Sequence, residues 1–233
     1  MITNVLLTNT STKAKQLAVA SVIASTLMIS QNANAGLIAR TITDATFGTV
    51  QAYYDDVLDL TWLKDANFAK TSGYDADGKM TWAAANTWAG QLSLGAYDDW
   101  RLTSLQPQNS QTEFDYNWSY DGSSDRGYNI TSTVNEMAYM FHVNLGLEGI
   151  CDGASNTASS CDQSGSGFHD TAWDTTIDTA SLGNNIAIDN LMSYLYWSDL
   201  EYAPHTGNAW AFHTYNGYQN SLNKLNSLYG WAV

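Results

Sequence analysis

Tyr97-Asp98-Asp99-Trp100-Arg101-Leu102 sets carboxylates, an indole and a guanidinium side by side in a single short stretch. An arginine in such company can pair bidentately with a carboxylate while its plane stacks on an aromatic face. The stretch therefore reads as a structural hub, with Asp99, Trp100 and Arg101 tying a loop to a core. Its counterpart lies far downstream in an aromatic strand, Tyr196-Trp197-Ser198.

Upstream of the hub, Thr81 is placed to cap a helix running from Trp82 to about Leu92, with Trp82, Ala85, Ala89 and Leu92 on one face and Gly95 ending the segment. Earlier still, residues 49–54 and 60–63 are rich in β-branched and aromatic side chains on either side of a turn at 55–59, a hairpin pattern. Downstream, 106–129 shows no sustained period and reads as a long surface loop. A second helix follows, with Thr133 and Glu136 as a capping box, Met137, Met140, Phe141 and Leu145 facing a core, and Gly146 as its stop. His142 on that helix reads as a partly buried structural residue. Three strands are expected at 194–199, 209–215 and 228–233, with Asn216-Gly217 as a two-residue hairpin signal. Alternation puts Trp210, Phe212 and Thr214 toward the core and Ala211, His213 and Tyr215 on the opposite face. No repeat of solenoid or propeller length is present.

With 233 residues, 44% of them hydrophobic, the chain can bury a sizeable core. Nine Trp and fourteen Tyr against two Pro describe an aromatic-rich folded body rather than a disordered one. Lys13 and Lys15 precede an apolar run at 17–29 that ends near Ala33-Asn34-Ala35, so 1–35 reads as an export signal and 36–233 as a single mature domain. Loss of those two lysines takes the net charge from −14 to −16. Such a surface repels phosphates, which argues against nucleic acid as a partner. No stretch after the leader is long and apolar enough to span a membrane. Cys151 and Cys161 are the only cysteines, and in an exported chain so closely spaced a pair reads as a disulfide pinning a Ser- and Gly-rich insertion at about 148–172. In the chain-entropy picture that closure stabilises the fold by about 2.5–3 kcal/mol.

Neither a Gly-x-Ser-x-Gly elbow nor a phosphate-cradling glycine loop occurs. His142, His169, His205 and His213 have no zinc-ligand spacing. The one candidate ion is Ca2+ at Asp75-Ala76-Asp77-Gly78, where Asp75 and Asp77 alternate before a glycine; the loop lacks the third ligand and distal Glu of an EF-hand, so a solvated acidic turn competes with the metal reading.

Asp99-Trp100-Arg101-Leu102-Thr103, Asn135-Glu136-Met137-Ala138-Tyr139-Met140-Phe141, Tyr196-Trp197-Ser198, Glu201-Tyr202-Ala203-Pro204 and Gly230-Trp231-Ala232-Val233, in that order, resemble the Lcl C-terminal domain family. The resemblance runs from about Tyr53 to Val233. It implies an α+β fold similar to C-type lectins: two helices packed on small twisted antiparallel sheets, with long loops presenting the ligand surface. Formylglycine-generating enzymes look like distant relatives, but their reactive cysteine lies in the core near the C-terminus, unlike Cys151 and Cys161. Where the family hub carries Pro-Thr after Leu, this chain has Thr103-Ser104. The family's namesake is an adhesin that binds sulfated polysaccharide, yet this acidic chain has seven basic residues after the leader, spread from Arg40 to Lys224. A neutral glycan or another surface ligand is therefore the expected partner, held at 202–218 by Tyr202, His205, Asn208, His213, Tyr215, Asn216 and Tyr218 through ring stacking and amide hydrogen bonds. Asn216, Asn220, Asn223 and Asn226 would suit a diversified surface tail. The competing expectations are an oligomeric structural protein with no ligand pocket and an enzyme related to the formylglycine-generating oxidases.

Overall fold

In the computed structural model, residues 36–161, 172–182 and 186–233 are described. The expected leader and the second half of the expected insertion, with His169, lie outside them. The described part opens with a meander of β1 (Leu37–Asp44), β2 (Gly48–Asp55) and β3 (Leu60–Leu63), a three-stranded antiparallel sheet. The hairpin expected at 49–63 is present as β2 and β3, and β1 adds a strand that sequence patterning did not mark. Its residues are mostly exposed, so it lacks the alternation that identifies a half-buried strand. At the β2–β3 turn, the Asp55 carboxylate accepts from the Val57 and Leu58 amides at 3.0 Å each, and Asp59 takes a left-handed φ of 54°.

The second sheet has seven strands in the order β4-β10-β7-β8-β9-β6-β5. These are β4 (Lys79–Met80), β5 (Trp118–Ser119), β6 (Arg126–Tyr128), β7 (Leu195–Glu201), β8 (Asn208–His213), β9 (Tyr218–Asn223) and β10 (Leu228–Tyr229). The β10–β7 and β5–β6 pairs are parallel and the rest antiparallel, so the sheet is mixed rather than purely antiparallel. The chain is a mixed α+β protein. β5 and β6 fall inside the stretch expected to be loop, and β9 falls inside the expected Asn-rich tail. β9 pairs with β8 across the turn that Asn216-Gly217 marks, whereas β6, with β5 beside it, becomes a strand by pairing with the distant β9, a tertiary effect that local pattern does not carry.

Helices α1 (Phe68–Thr71), α2 (Trp82–Gln91) and α3 (Glu136–Tyr139) cover the sheets, α3 running on as a π-helical turn, Met140–Asn144. Thr81 caps α2 as expected, its hydroxyl accepting from the Ala84 amide at 3.4 Å. Ala85, Ala89 and Leu92 are buried with Trp88, while Trp82 is half-buried and its indole N–H donates to the Ser198 carbonyl at 2.8 Å. Met137, Met140, Phe141 and Leu145 are buried as expected. The capping box is not formed. Asn135 takes the cap position without a side-chain bond, and the Glu136 carboxylate turns to Arg101 and to the Ser104 amide instead.

The last three residues join the sheets to the hub. The Trp231 indole donates to the Leu63 carbonyl at 2.7 Å, the Leu63 amide donates to Ala232, and Arg101 and Val233 exchange backbone bonds at 3.0 and 2.9 Å. Trp62 and Trp231 meet edge to face with centroids 4.9 Å apart, both almost wholly buried. Removing a ring from such packing generally costs about 3–5 kcal/mol, so this junction is a main anchor of the fold. Cys151 and Cys161 are joined by a disulfide. No helix among the described residues is long and apolar enough to cross a membrane.

Candidate functional site

Arg101 pairs with a carboxylate other than its neighbours, and no ring lies against its guanidinium among the described residues. Arg101 donates through both terminal nitrogens to Glu136, each at 2.7 Å, and through one of them to the Leu102 carbonyl at 2.9 Å. The partner is Glu136 of α3, not the neighbouring Asp98 or Asp99. Both of those are exposed. Trp100 is buried, and Tyr196 and Trp197 lie at the centre of the core, where the Trp197 indole donates to the Met80 carbonyl at 2.9 Å. The Arg101–Glu136 pair is thus a closed structural tie, while the Trp100 indole N–H beside it is buried without a hydrogen-bond partner.

The expected ligand surface divides in two. Tyr202, His205 and Asn208 stand at the start of β8, whereas His213, Tyr215, Asn216 and Tyr218 stand at its end, about 17 Å away along an extended strand. Tyr202 is core: its ring meets Trp210 edge to face at 4.9 Å and Tyr116 at 5.2 Å. His205 is exposed in a turn, its amide donating to the Tyr202 carbonyl, and the Asn208 side chain donates to Ser221 at 3.4 Å. The alternation expected along β8 is present in geometry but not in burial. Ala209 and Ala211 are as buried as Trp210 and Phe212, because β8 is an inner strand covered on both faces. The turn that follows has four residues, not two, with the Asn216 and Gly217 amides both donating to the His213 carbonyl and Gly217 at a φ of 74°.

At the far end of β8 the register builds a surface that sequence alone did not show. His213 pairs with Tyr218 and Tyr218 with Tyr128, and residues directly opposite share a face. The Trp118–Arg126 pair extends the row onto β5. The outcome is a ribbon of rings across four strands. His213 stacks on Tyr218 with centroids 4.5 Å apart and planes at 19°; Tyr218 meets Tyr128 at 5.1 Å and Trp118 at 5.5 Å; Tyr120 stacks on Tyr128 at 6.0 Å. Trp173 closes the other end against His213, Tyr194 and Tyr215 at 5.1, 4.7 and 5.3 Å. Of the expected set, His213, Tyr215 and Tyr218 belong to this ribbon and Asn216 borders it. Trp118, Tyr120, Tyr128 and Trp173 were missed, and the one sequence signal for them was an excess of aromatic residues in stretches read as loop.

The ribbon is uncharged at neutral pH. Burial pushes the His213 imidazole down to about 4 and the Tyr128 phenol up to about 12, and raises Tyr218 as well. Polar groups sit among the rings. Asn220 accepts from the Arg126 guanidinium at 2.8 Å, and that guanidinium lies over Trp118 at 5.5 Å. His213 Nδ1 and Asn216 Oδ1 are buried without a hydrogen-bond partner, which is costly in an apolar setting. His142 is structural as expected, its two ring nitrogens facing the carbonyls of Leu147 and Gly217 at 3.2 and 3.1 Å.

Asp75 and Asp77 are occupied with their own turn. Asp75 accepts from the amides of Asp77 and Gly78 at 3.1 and 2.8 Å, and Asp77 accepts from Lys79 at 3.0 Å. Burial works against ionisation of Asp75, but the Gly78 and Asp77 amides outweigh it and hold its carboxyl below the usual range. No group of three or more candidate metal ligands occurs among the described residues. The chain matches no family model, no curated protein and no solved structure.

Proposed function

We propose that the chain is an exported, non-enzymatic binding domain of the Lcl C-terminal type, lectin-like in fold, which recognises neutral glycan through the aromatic ribbon on β5, β6, β9 and the end of β8. The observation that carries this reading is the unbroken series of rings from Trp173 through His213, Tyr218 and Tyr128 to Trp118 and Tyr120. Sugars present patches of C–H groups that stack on aromatic faces, while amides and carbonyls between the rings select hydroxyl positions. The ribbon's neutral state suits an uncharged ligand. A sulfated polyanion would meet, among the described residues, Arg126 over Trp118 and Lys79 over Tyr194, on a domain of charge −16 once the leader is removed.

A glycan array run with and without Ca2+ and at two salt concentrations tests the proposal, with Trp118→Ala and Tyr218→Ala alongside. Neutral-sugar binding that ignores salt and Ca2+, and that weakens about tenfold or more in either variant, is the expected result, because each stacked ring contributes on the order of 1 kcal/mol or more. Binding of heparin-type chains that falls steeply with salt would transfer the site to polyanions. Absence of binding, with concentration-dependent assembly in sedimentation, would favour an oligomeric structural role.

A further inference from the structure

A cleft of about 450 Å³ opens where the three-stranded sheet meets the hub segment, and it shares no residue with the aromatic ribbon. Its walls carry Arg40 of β1, Tyr54 of β2, Asp59 from the β2–β3 turn, and Tyr97, Asp99 and Trp100 from the hub. The volume falls within the range usual for small-molecule sites.

Two of the charges at this cleft are already committed. Arg101, which also lines it, is held by Glu136, and Asp59 accepts from the Tyr54 hydroxyl at 2.8 Å. Two are not. The Arg40 guanidinium lies over the Tyr54 ring at 5.4 Å and makes a single long bond, 3.4 Å, to its neighbour's carbonyl. Among the described residues it has no acidic partner, and the Asp99 carboxylate has no basic one. One cleft therefore presents a free cation and a free anion that do not reach each other, with aromatic surface beside them. Tyr97, 56% exposed, and Trp100 supply that surface.

We infer that this cleft binds a small zwitterion with an apolar side chain, a free aromatic α-amino acid or a short peptide. The ligand carboxylate lies on Arg40, where the planar guanidinium can take it bidentately, and the ligand ammonium lies on Asp99. Its side chain rests on Tyr97 and Trp100. The cost of desolvating either charge is met only when both ends of the ligand are engaged together, so a ligand lacking one end binds much more weakly.

Titration calorimetry on the mature domain with L-phenylalanine, N-acetyl-L-phenylalanine and phenethylamine tests this. The expected order is phenylalanine first, with each blocked analogue weaker by about tenfold, the loss of one charge-assisted hydrogen-bonding end. Arg40→Gln should erase the preference of phenylalanine over phenethylamine while keeping its preference over the N-acetyl compound, and Asp99→Asn should do the reverse. Both side chains are exposed, so these variants leave the core intact. Near-ultraviolet dichroism confirms their fold. Equal binding of all three compounds, or heat from none of them and from none of a panel of free amino acids and dipeptides, would overturn the assignment. Glycan binding at the ribbon is read separately and stands or falls on Trp118 and Tyr218.

Discussion

Arg101 and Arg126 are the same residue in two opposite settings. Arg101 is locked to a carboxylate that also takes the Ser104 amide, and its own backbone pairs with Val233. Arg126 is bound to a neutral amide, lies over an indole, and has no acidic partner among the salt bridges of the described residues. The first arrangement fixes one geometry, because every acceptor is met by a matching donor. The second leaves a cation and a set of rings whose remaining hydrogen-bonding capacity is open to a ligand. Charge satisfied internally marks the Arg101 tie, and polar capacity left over beside aromatic surface is what supports the proposed binding face.

The sharpest way to break the contrast is at the hub. The Glu136 side chain is 14% exposed and anchors three hydrogen bonds. Glu136→Ala strands Arg101 and the Ser104 amide, and such a loss at a buried pair costs about 3–5 kcal/mol; the half-exposed guanidinium keeps the expectation near the lower end. Urea denaturation gives the number. A loss under about 1 kcal/mol would place this pair with ordinary surface bridges and dissolve the distinction.

The next effect belongs to the ribbon and is a pH dependence. His213 has a folded pKa of about 4 against an ordinary 6.5, the result of burial. Between those values the unfolded chain binds a proton that the folded chain refuses, so stability is fully present above pH 6.5 and declines as pH falls toward 4. The full span amounts to about 3 kcal/mol. Among the described residues, the rings of Trp173, Tyr215 and Tyr218 lie against the imidazole, and Leu195 is its partner across the strand pair. Burial raises the carboxyls of Asp125 and Asp199 as well, but they are common to wild type and His213→Phe and cancel in the comparison. Thermal denaturation of both proteins from pH 7 to pH 4 should show wild type losing stability faster. Parallel curves would mean that His213 is not held neutral by its surroundings.

The hub was legible in the sequence because its residues are local and chemically distinctive. Trp100, Tyr196 and Trp197 are buried and Arg101 is held by a carboxylate. Its carboxylate was not legible: Glu136 carries an equally good local signal for a capping box, and only the approach of Arg101 from a distant segment decides between the two. The same limit explains the ribbon. Trp118, Tyr120 and Tyr128 have no alternation around them, since β5 and β6 are two and three residues long, β6 pairing with the distant β9 and β5 with β6. Tyr202 erred in the other direction. A tyrosine in a turn-rich stretch looks like surface, and its burial depends on Tyr116 and Trp210 arriving from elsewhere.

The smallest effect sharpens the comparison most directly, because it repeats the hub experiment on the other arginine. Arg126→Gln removes a guanidinium that lies over Trp118 at 5.5 Å and donates one hydrogen bond to Asn220. A cation over a half-exposed ring contributes about 0.5–1 kcal/mol, and the new amide can still donate to Asn220, so stability should fall by about 0.5 kcal/mol. Binding should respond differently from stability. If the ligand is a neutral sugar stacked on Trp118, removal of the cation leaves the ring in place and affinity changes less than about threefold, whereas Trp118→Ala abolishes the platform. If the ligand is anionic, Arg126→Gln weakens binding strongly and reduces its dependence on salt, because the cation over Trp118 has gone. A stability loss comparable with that of Glu136→Ala would show that Arg126 also belongs to the scaffold, and the division between a closed hub and an open ribbon would then fail at its centre.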